Sequence, residues 1–189
     1  MESNPYAPPK AAVADVEPTV ADTPAFFPVS RRKLIVMSLL TLTLYQLFWY
    51  YKNWACVRAR GARVLPLLRT IFAVFFCYSL FRRVRRHRRD LASARLQAGL
   101  LATGWIIVTV FGNVADAIGP TWLFLLPLLI SSASVFFLVP VQGAINEINR
   151  AELPDLDPND RFTVWNALWM AFGGALTIVG LSEIFFPVP

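Results

Sequence analysis

The chain has 189 residues, 56% hydrophobic and only 16% charged, with a mean hydropathy of +0.51. A soluble domain carries roughly 25% charged residues, so these values exclude an ordinary soluble enzyme and point to an integral membrane protein. The net charge of +6 is unevenly spread: residues 1–30 carry −3, residues 31–96 carry +14 and residues 97–189 carry −5. A basic middle between acidic ends is a topology signal, because cytoplasmic loops hold the excess of Lys and Arg. It also points to anionic lipid headgroups as a partner.

Residues 1–28 read as a disordered, acidic, Pro-rich tail in which Tyr6, Phe26 and Phe27 are the adhesive residues. Leu34 to Tyr51 is the first predicted span, flanked by Arg31, Arg32 and Lys33 before it and Lys52 after it. Trp49, Tyr50, Tyr51 and Trp54 read as an aromatic belt at its second end.

The run Thr41-Leu42-Thr43-Leu44-Tyr45-Gln46-Leu47-Phe48-Trp49-Tyr50-Tyr51-Lys52 resembles the core signature of small bacterial membrane proteins known as domain-of-unknown-function family 4234. Their pattern is roughly Thr-x-Gly-x-Tyr, then an aromatic, Trp, an aromatic and Lys, here Thr41, Tyr45, Trp49, Tyr50 and Lys52. This chain has Thr43 where that pattern has Gly. The resemblance covers about residues 30–82. It implies an uncharacterised protein of the bacterial inner membrane and brings no activity, cofactor or catalytic residue with it.

Residues 65–81 form a second apolar stretch whose clean part, Ile71 to Phe81, has eleven residues. Runs of that length are more often re-entrant, interfacial or buried than spanning, so an interfacial or half-inserted helix is expected; a fifth span is the alternative. The charges do not decide between them. Spanning puts Lys52, Arg58, Arg60 and Arg63 outside; not spanning puts Arg31, Arg32 and Lys33 outside.

Arg82, Arg83, Arg85, Arg86, Arg88 and Arg89 surround Val84 and His87 in a block that resists translocation and fixes residues 82–96 in the cytoplasm. It reads as a topology and lipid-headgroup anchor. It lacks the aromatic interleaving of a nucleic-acid site, so no nucleic acid is expected as a partner. His87 reads as a solvated loop residue.

Three further spans follow at about 96–115, 122–139 and 162–186, placing 141–161 in the cytoplasm and the C-terminus outside. Ala98 and Ala102 on the first, and Ala171, Gly174 and Ala175 on the last, form small stripes that let helices approach closely. Pro127 is expected to kink the middle span, and the helix resumes in water after Pro140 with Gln142, Asn146 and Asn149 on one face. Asp157-Pro158-Asn159-Asp160 reads as a helix start with Asp157 as N-cap.

The expected architecture is therefore all-α and polytopic, with four spans and one contested helix. No constellation of nucleophile, base and acid is present, and one histidine cannot build a multi-His metal site. A non-catalytic structural or interaction role is expected, with a membrane-protein partner or a second copy of the chain as further partners. The alternative is a transporter, channel component or lipid-handling protein. It would need a polar intramembrane cleft lined by Ser131, Ser134, Asn113 and Asn166 at the Pro127 kink.

Overall fold

A computed structural model describes residues 23–88, 90–118 and 125–185. Among these the regular structure is entirely helical, with no strand. Eight α-helices run in chain order: α1 Arg31–Leu40, α2 Leu44–Ala59, α3 Pro66–Ile71, α4 Ala73–His87, α5 Ala98–Ile118, α6 Leu125–Ala133, α7 Val135–Glu152 and α8 Val164–Phe185. A 3-10 turn, Ala92–Arg95, precedes α5. Two helices are long and apolar enough to cross a bilayer, Pro127–Glu152 (α7 with the end of α6) and Val164–Ser182, while Ala98–Val114 is apolar but shorter.

The expected first span is not one helix. It breaks at Thr41–Thr43, where Leu42 (φ 48) and Thr43 (φ 75) take left-handed backbone angles. Such angles are costly for β-branched residues and reverse the chain. The Thr43 N–H reaches back five residues to the Ser38 carbonyl, and the Thr41 hydroxyl donates to the Met37 carbonyl while accepting from the Tyr45 N–H. α1 therefore runs only about 15 Å at 1.5 Å per residue before the chain turns back.

α2 buries Tyr45, Gln46, Trp49, Tyr50, Asn53, Trp54 and Val57, an i, i+4 stripe that faces the core. Trp49, Tyr50 and Trp54 are fully buried, so they are core residues and not the expected interfacial belt. Gly61, at φ +87, closes the turn after α2 in a conformation that glycine adopts freely.

Residues 65–81 form two helices. Pro66 sits in the first turn of α3, where its missing N–H costs nothing, and the chain bends at Phe72. α4 continues to His87, so Arg82 to Arg86 are helical and not a loop. Ala73, Cys77, Leu80, Phe81 and Val84 form its buried stripe.

α5 and the α6–α7 pair are antiparallel neighbours. A Cβ on Gly104 would meet the Phe137 ring, and one on Gly112 would lie 2.9 Å from the Pro127 carbonyl. The interruption between α6 and α7 falls at Ser134, and the helix passes through Pro140 to Glu152 without ending there. The side chains of Gln142, Asn146 and Asn149 are consequently drawn inward rather than into water.

Residues 23–30 correct the expectation of a disordered tail up to residue 28; residues 1–22 lie outside the described residues. Ala25, Phe26, Phe27 and Val29 are buried members of the core. Asp157 does not open a helix: it accepts from the Asn159 N–H in a local turn. α8 starts at Val164, where Thr163 and Asn166 cap each other reciprocally.

Candidate functional site

Glu152, the last residue of α7, accepts from Arg60 Nη1 and pairs with His87 Nε2, each at 2.7 Å. The same Arg60 guanidinium donates to the Thr23 carbonyl from Nε at 3.0 Å and Nη2 at 2.6 Å. Four points far apart in sequence (23, 60, 87 and 152) therefore meet at one place. Residues 23–60 leave that place and return to it, and so do residues 60–87. Both N-terminal apolar stretches are hairpins whose two ends lie at the same end of the molecule.

Lys33 is at this end as well. Its ammonium donates to Asn159 Oδ1 at 2.9 Å and to the Arg161 carbonyl at 2.6 Å, in the loop that follows α7. Arg31 packs its guanidinium across Gly143 of α7. The basic residues at 31–33, 60 and 82–88 thus belong to one face.

The arginine block presents Arg82, Arg83, Arg85 and Arg86 as exposed side chains around the buried Val84. Arg88 holds Asp90 through two bonds, Nε to Oδ1 at 2.8 Å and Nη2 to Oδ2 at 2.6 Å. The hydrogen bonds from Arg88 hold the Asp90 carboxyl down at about 2. Arg89 lies outside the described residues. His87 is not a free loop residue: it ends α4, pairs with Glu152 and meets the edge of the Phe26 ring at a centroid distance of 5.4 Å.

The strap at 23–29 is held by side chains that read its backbone. Asn149 accepts from the Phe26 N–H at 3.3 Å and donates to the Phe26 carbonyl at 2.8 Å, as a neighbouring strand would. Asn53 accepts from the Phe27 N–H, Gln142 donates to the Phe27 carbonyl and Asn146 donates to the Val29 carbonyl. Asn159 donates to the Pro28 carbonyl. Buried backbone groups outside regular structure need such partners.

A second buried hub sits at the far tip of the first hairpin. Gln46 donates to the Ser132 carbonyl at 3.1 Å and accepts from Trp105 Nε1 and the Ser134 hydroxyl, both at 2.9 Å. It joins the α1–α2 break to the α6–α7 interruption. Trp49 Nε1 donates to Gln142 Oε1 at 2.6 Å, linking this hub to the strap.

Of the residues resembling the family signature, Thr41, Tyr45, Trp49 and Tyr50 are buried, and Lys52 is partly exposed on the same helix. Ala98 and Ala102 are buried. On α8 the expected small stripe faces away: Ala171 and Ala175 are exposed, and nothing lies within 4 Å of a Cβ built on Gly174. The docked face runs through Gly173, where an added Cβ would run into the Leu40 carbonyl, and through the buried Gly180.

The residues expected to line a polar cleft do not meet. Asn113 is exposed and bonds its own helix at Thr109, Asn166 caps Thr163, and Ser131 and Ser134 pack at the Gln46 hub. Among the described residues no group of three His, Cys, Asp or Glu could hold a metal ion.

Sequence reasoning found the arginine block and the Gln142/Asn146/Asn149 face. It missed Gln46, Asn53, Arg60 and Glu152, whose partners lie far away in sequence. The one available signal was a carboxamide, Gln46, in the middle of an otherwise apolar run. No family model, curated protein or solved structure matches this chain.

Proposed function

We propose that this is a multi-pass protein of the bacterial inner membrane with a non-catalytic structural and interaction role. Its basic end rests on the anionic headgroups of the cytoplasmic leaflet. The observation that carries this reading is the meeting of Thr23, Arg60, His87 and Glu152. With both N-terminal stretches re-entrant, every basic cluster from Arg31 to Arg95 lies on one side of the bilayer. The conflict that either simple topology creates with the positive-inside rule then disappears. α5, α6–α7 and α8 are the three crossings, residues 82–96 and 141–161 are cytoplasmic and the C-terminus is outside.

The exposed surface of the second hairpin supports the same placement. Leu67, Ile71 and Phe75 are 63%, 65% and 76% exposed near its tip, while Arg82, Arg83, Arg85 and Arg86 are exposed at its base. Apolar tip and cationic base match acyl chains and headgroups. Arg69, between them, lies over the Trp54 and Phe76 rings at 4.3 and 5.0 Å, which suits a cation near the interface. The buried amides support a structural role, because they are used to hold backbone.

Kinship with domain-of-unknown-function family 4234 is part of the proposal. Thr43 stands where that pattern has Gly and adopts φ 75, the conformation for which glycine is suited.

The test is thermal unfolding of the full chain in nanodiscs of phosphatidylcholine, with and without phosphatidylglycerol. The anionic lipid is expected to raise the Tm. Replacing Arg82, Arg83, Arg85 and Arg86 together by Gln is expected to abolish that gain. Equal Tm values in both lipids, or a gain that survives the replacement, would overturn the headgroup role.

A further inference from the structure

A groove of about 390 Å³ lies between the first hairpin and the start of α8. Its floor is Met37, Thr41 and Tyr45, one wall is Leu44 and Phe48, and the other is Trp165 and Trp169. The floor is buried, whereas Leu44, Phe48, Trp165 and Trp169 are exposed. A volume of this size is typical of small-molecule sites.

Its lining is mostly apolar, and two of its polar atoms are already engaged. The Thr41 hydroxyl serves Met37 and Tyr45, and Asn166 Oδ1 accepts from the Thr163 N–H and hydroxyl. A polar ligand would find little to bind. Leu44, Phe48 and Lys52 stand at i, i+4 and i+8, a straight line along α2 about 12 Å long. Two apolar side chains are followed by a cation, and the cation lies toward the basic end. Lys52 Nζ is 5.7 Å from the Phe48 ring centre and forms no ion pair among the described residues. Lys33, the nearest basic residue on α1, is taken up by Asn159 and Arg161, with Asp157 and Asp160 close by.

We propose that this groove holds one acyl chain of an anionic phospholipid from the cytoplasmic leaflet, with Lys52 on its phosphate. The occupant follows from the order of chemistry along the line: hydrocarbon against Leu44 and Phe48, negative charge against Lys52. This rests on the membrane placement proposed above. It adds a defined lipid position, separate from the diffuse contact of the arginine face.

The experiment is native mass spectrometry of the full chain released from mild detergent, titrated with phosphatidylglycerol or phosphatidylcholine. The wild-type protein is expected to retain one phosphatidylglycerol about fivefold more tightly than phosphatidylcholine, the preference expected of one interfacial cation. Leu44→Trp, at an exposed position that tolerates bulk, is expected to lose that lipid of either headgroup. Lys52→Gln is expected to keep one lipid and lose the preference. The Arg82/Arg83/Arg85/Arg86→Gln protein is expected to keep the site intact. Unchanged retention in Leu44→Trp, or unchanged preference in Lys52→Gln, would overturn the site. So would a shift of Leu44→Trp from dimer to monomer, which would assign the groove to a second copy. A failed groove with an intact anionic-lipid gain in Tm leaves the headgroup reading standing, so the two fail separately.

Discussion

Residues 23–87 and residues 98–185 satisfy their backbone polar groups by different means. The C-terminal part does it mainly within long helices, so its side chains are free to face outward; Val164, Trp165 and Ile178 of α8 are 77%, 73% and 69% exposed. The N-terminal part breaks its backbone at Thr41–Thr43, at Phe72 and along the strap; the strap is satisfied by Asn53, Gln142, Asn146 and Asn149, and the Thr41 hydroxyl serves the first break, while Gln46 in return takes up the Ser132 carbonyl at the α6–α7 interruption. Irregular backbone at membrane depth survives only when protein encloses it. The α5–α7 unit supplies that enclosure, with Trp105 and Ser134 reaching the hairpin tip and Asn149 the strap. The hairpins therefore depend on α5–α7 for their enclosure.

The sharpest way to break this division is Gln46→Leu. It strands the Trp105 N–H and the Ser132 carbonyl in a dry interior, at about 1–3 kcal/mol for each group left unpaired, while the Ser134 hydroxyl keeps its bond to the Ser131 carbonyl. A Tm drop larger than that of any single surface change is expected. Glu152→Ala comes next. It releases Arg60 and His87 together and is expected to cost about 2–3 kcal/mol, with faster protease cleavage near Thr23 as the local readout.

Gly173→Ala tests how α8 packs on the first hairpin. Its Cβ would run into the Leu40 carbonyl, and overpacking of this kind costs about 1–3 kcal/mol. Gly174→Ala, one residue on, meets nothing within 4 Å and is expected to leave the Tm unchanged or slightly raised. The smallest effect sharpens the comparison in the other direction. Thr43→Gly relieves a left-handed Thr and is expected to stabilise the first hairpin by about 0.5–1 kcal/mol, seen as a small rise in Tm.

Periodicity made the helical class legible, along with the apolar runs and the shared face of Gln142, Asn146 and Asn149, though not that this face turns inward rather than into water. Thr41–Thr43 stayed hidden because Leu34 to Tyr51 reads as continuous hydrocarbon, and Thr43 occupies a left-handed position without the glycine that would have marked it. The strap was noticed only as Phe26 and Phe27 in a Pro-rich tail; the amides that order it come from α2, α7 and the loop beyond. The pairing of His87 with Glu152, 65 residues away, leaves no local trace. Span and interface for 65–81 both take the first stretch as a crossing. Neither option allows two successive hairpins, the arrangement in which Thr23, Arg60, His87 and Glu152 meet.

The return of residues 23–60 to their starting end is the claim on which the membrane reading depends. In a protein with Cys56→Ser and Cys77→Ser, single cysteines are placed at the exposed positions Arg32 and Arg63. Both are then probed in intact cells with a membrane-impermeant thiol reagent, and again after permeabilisation. The account predicts that Arg32→Cys and Arg63→Cys are both protected in intact cells and both labelled once the membrane is opened. Labelling of one but not the other in intact cells would show that the first apolar stretch crosses the bilayer, and would contradict it.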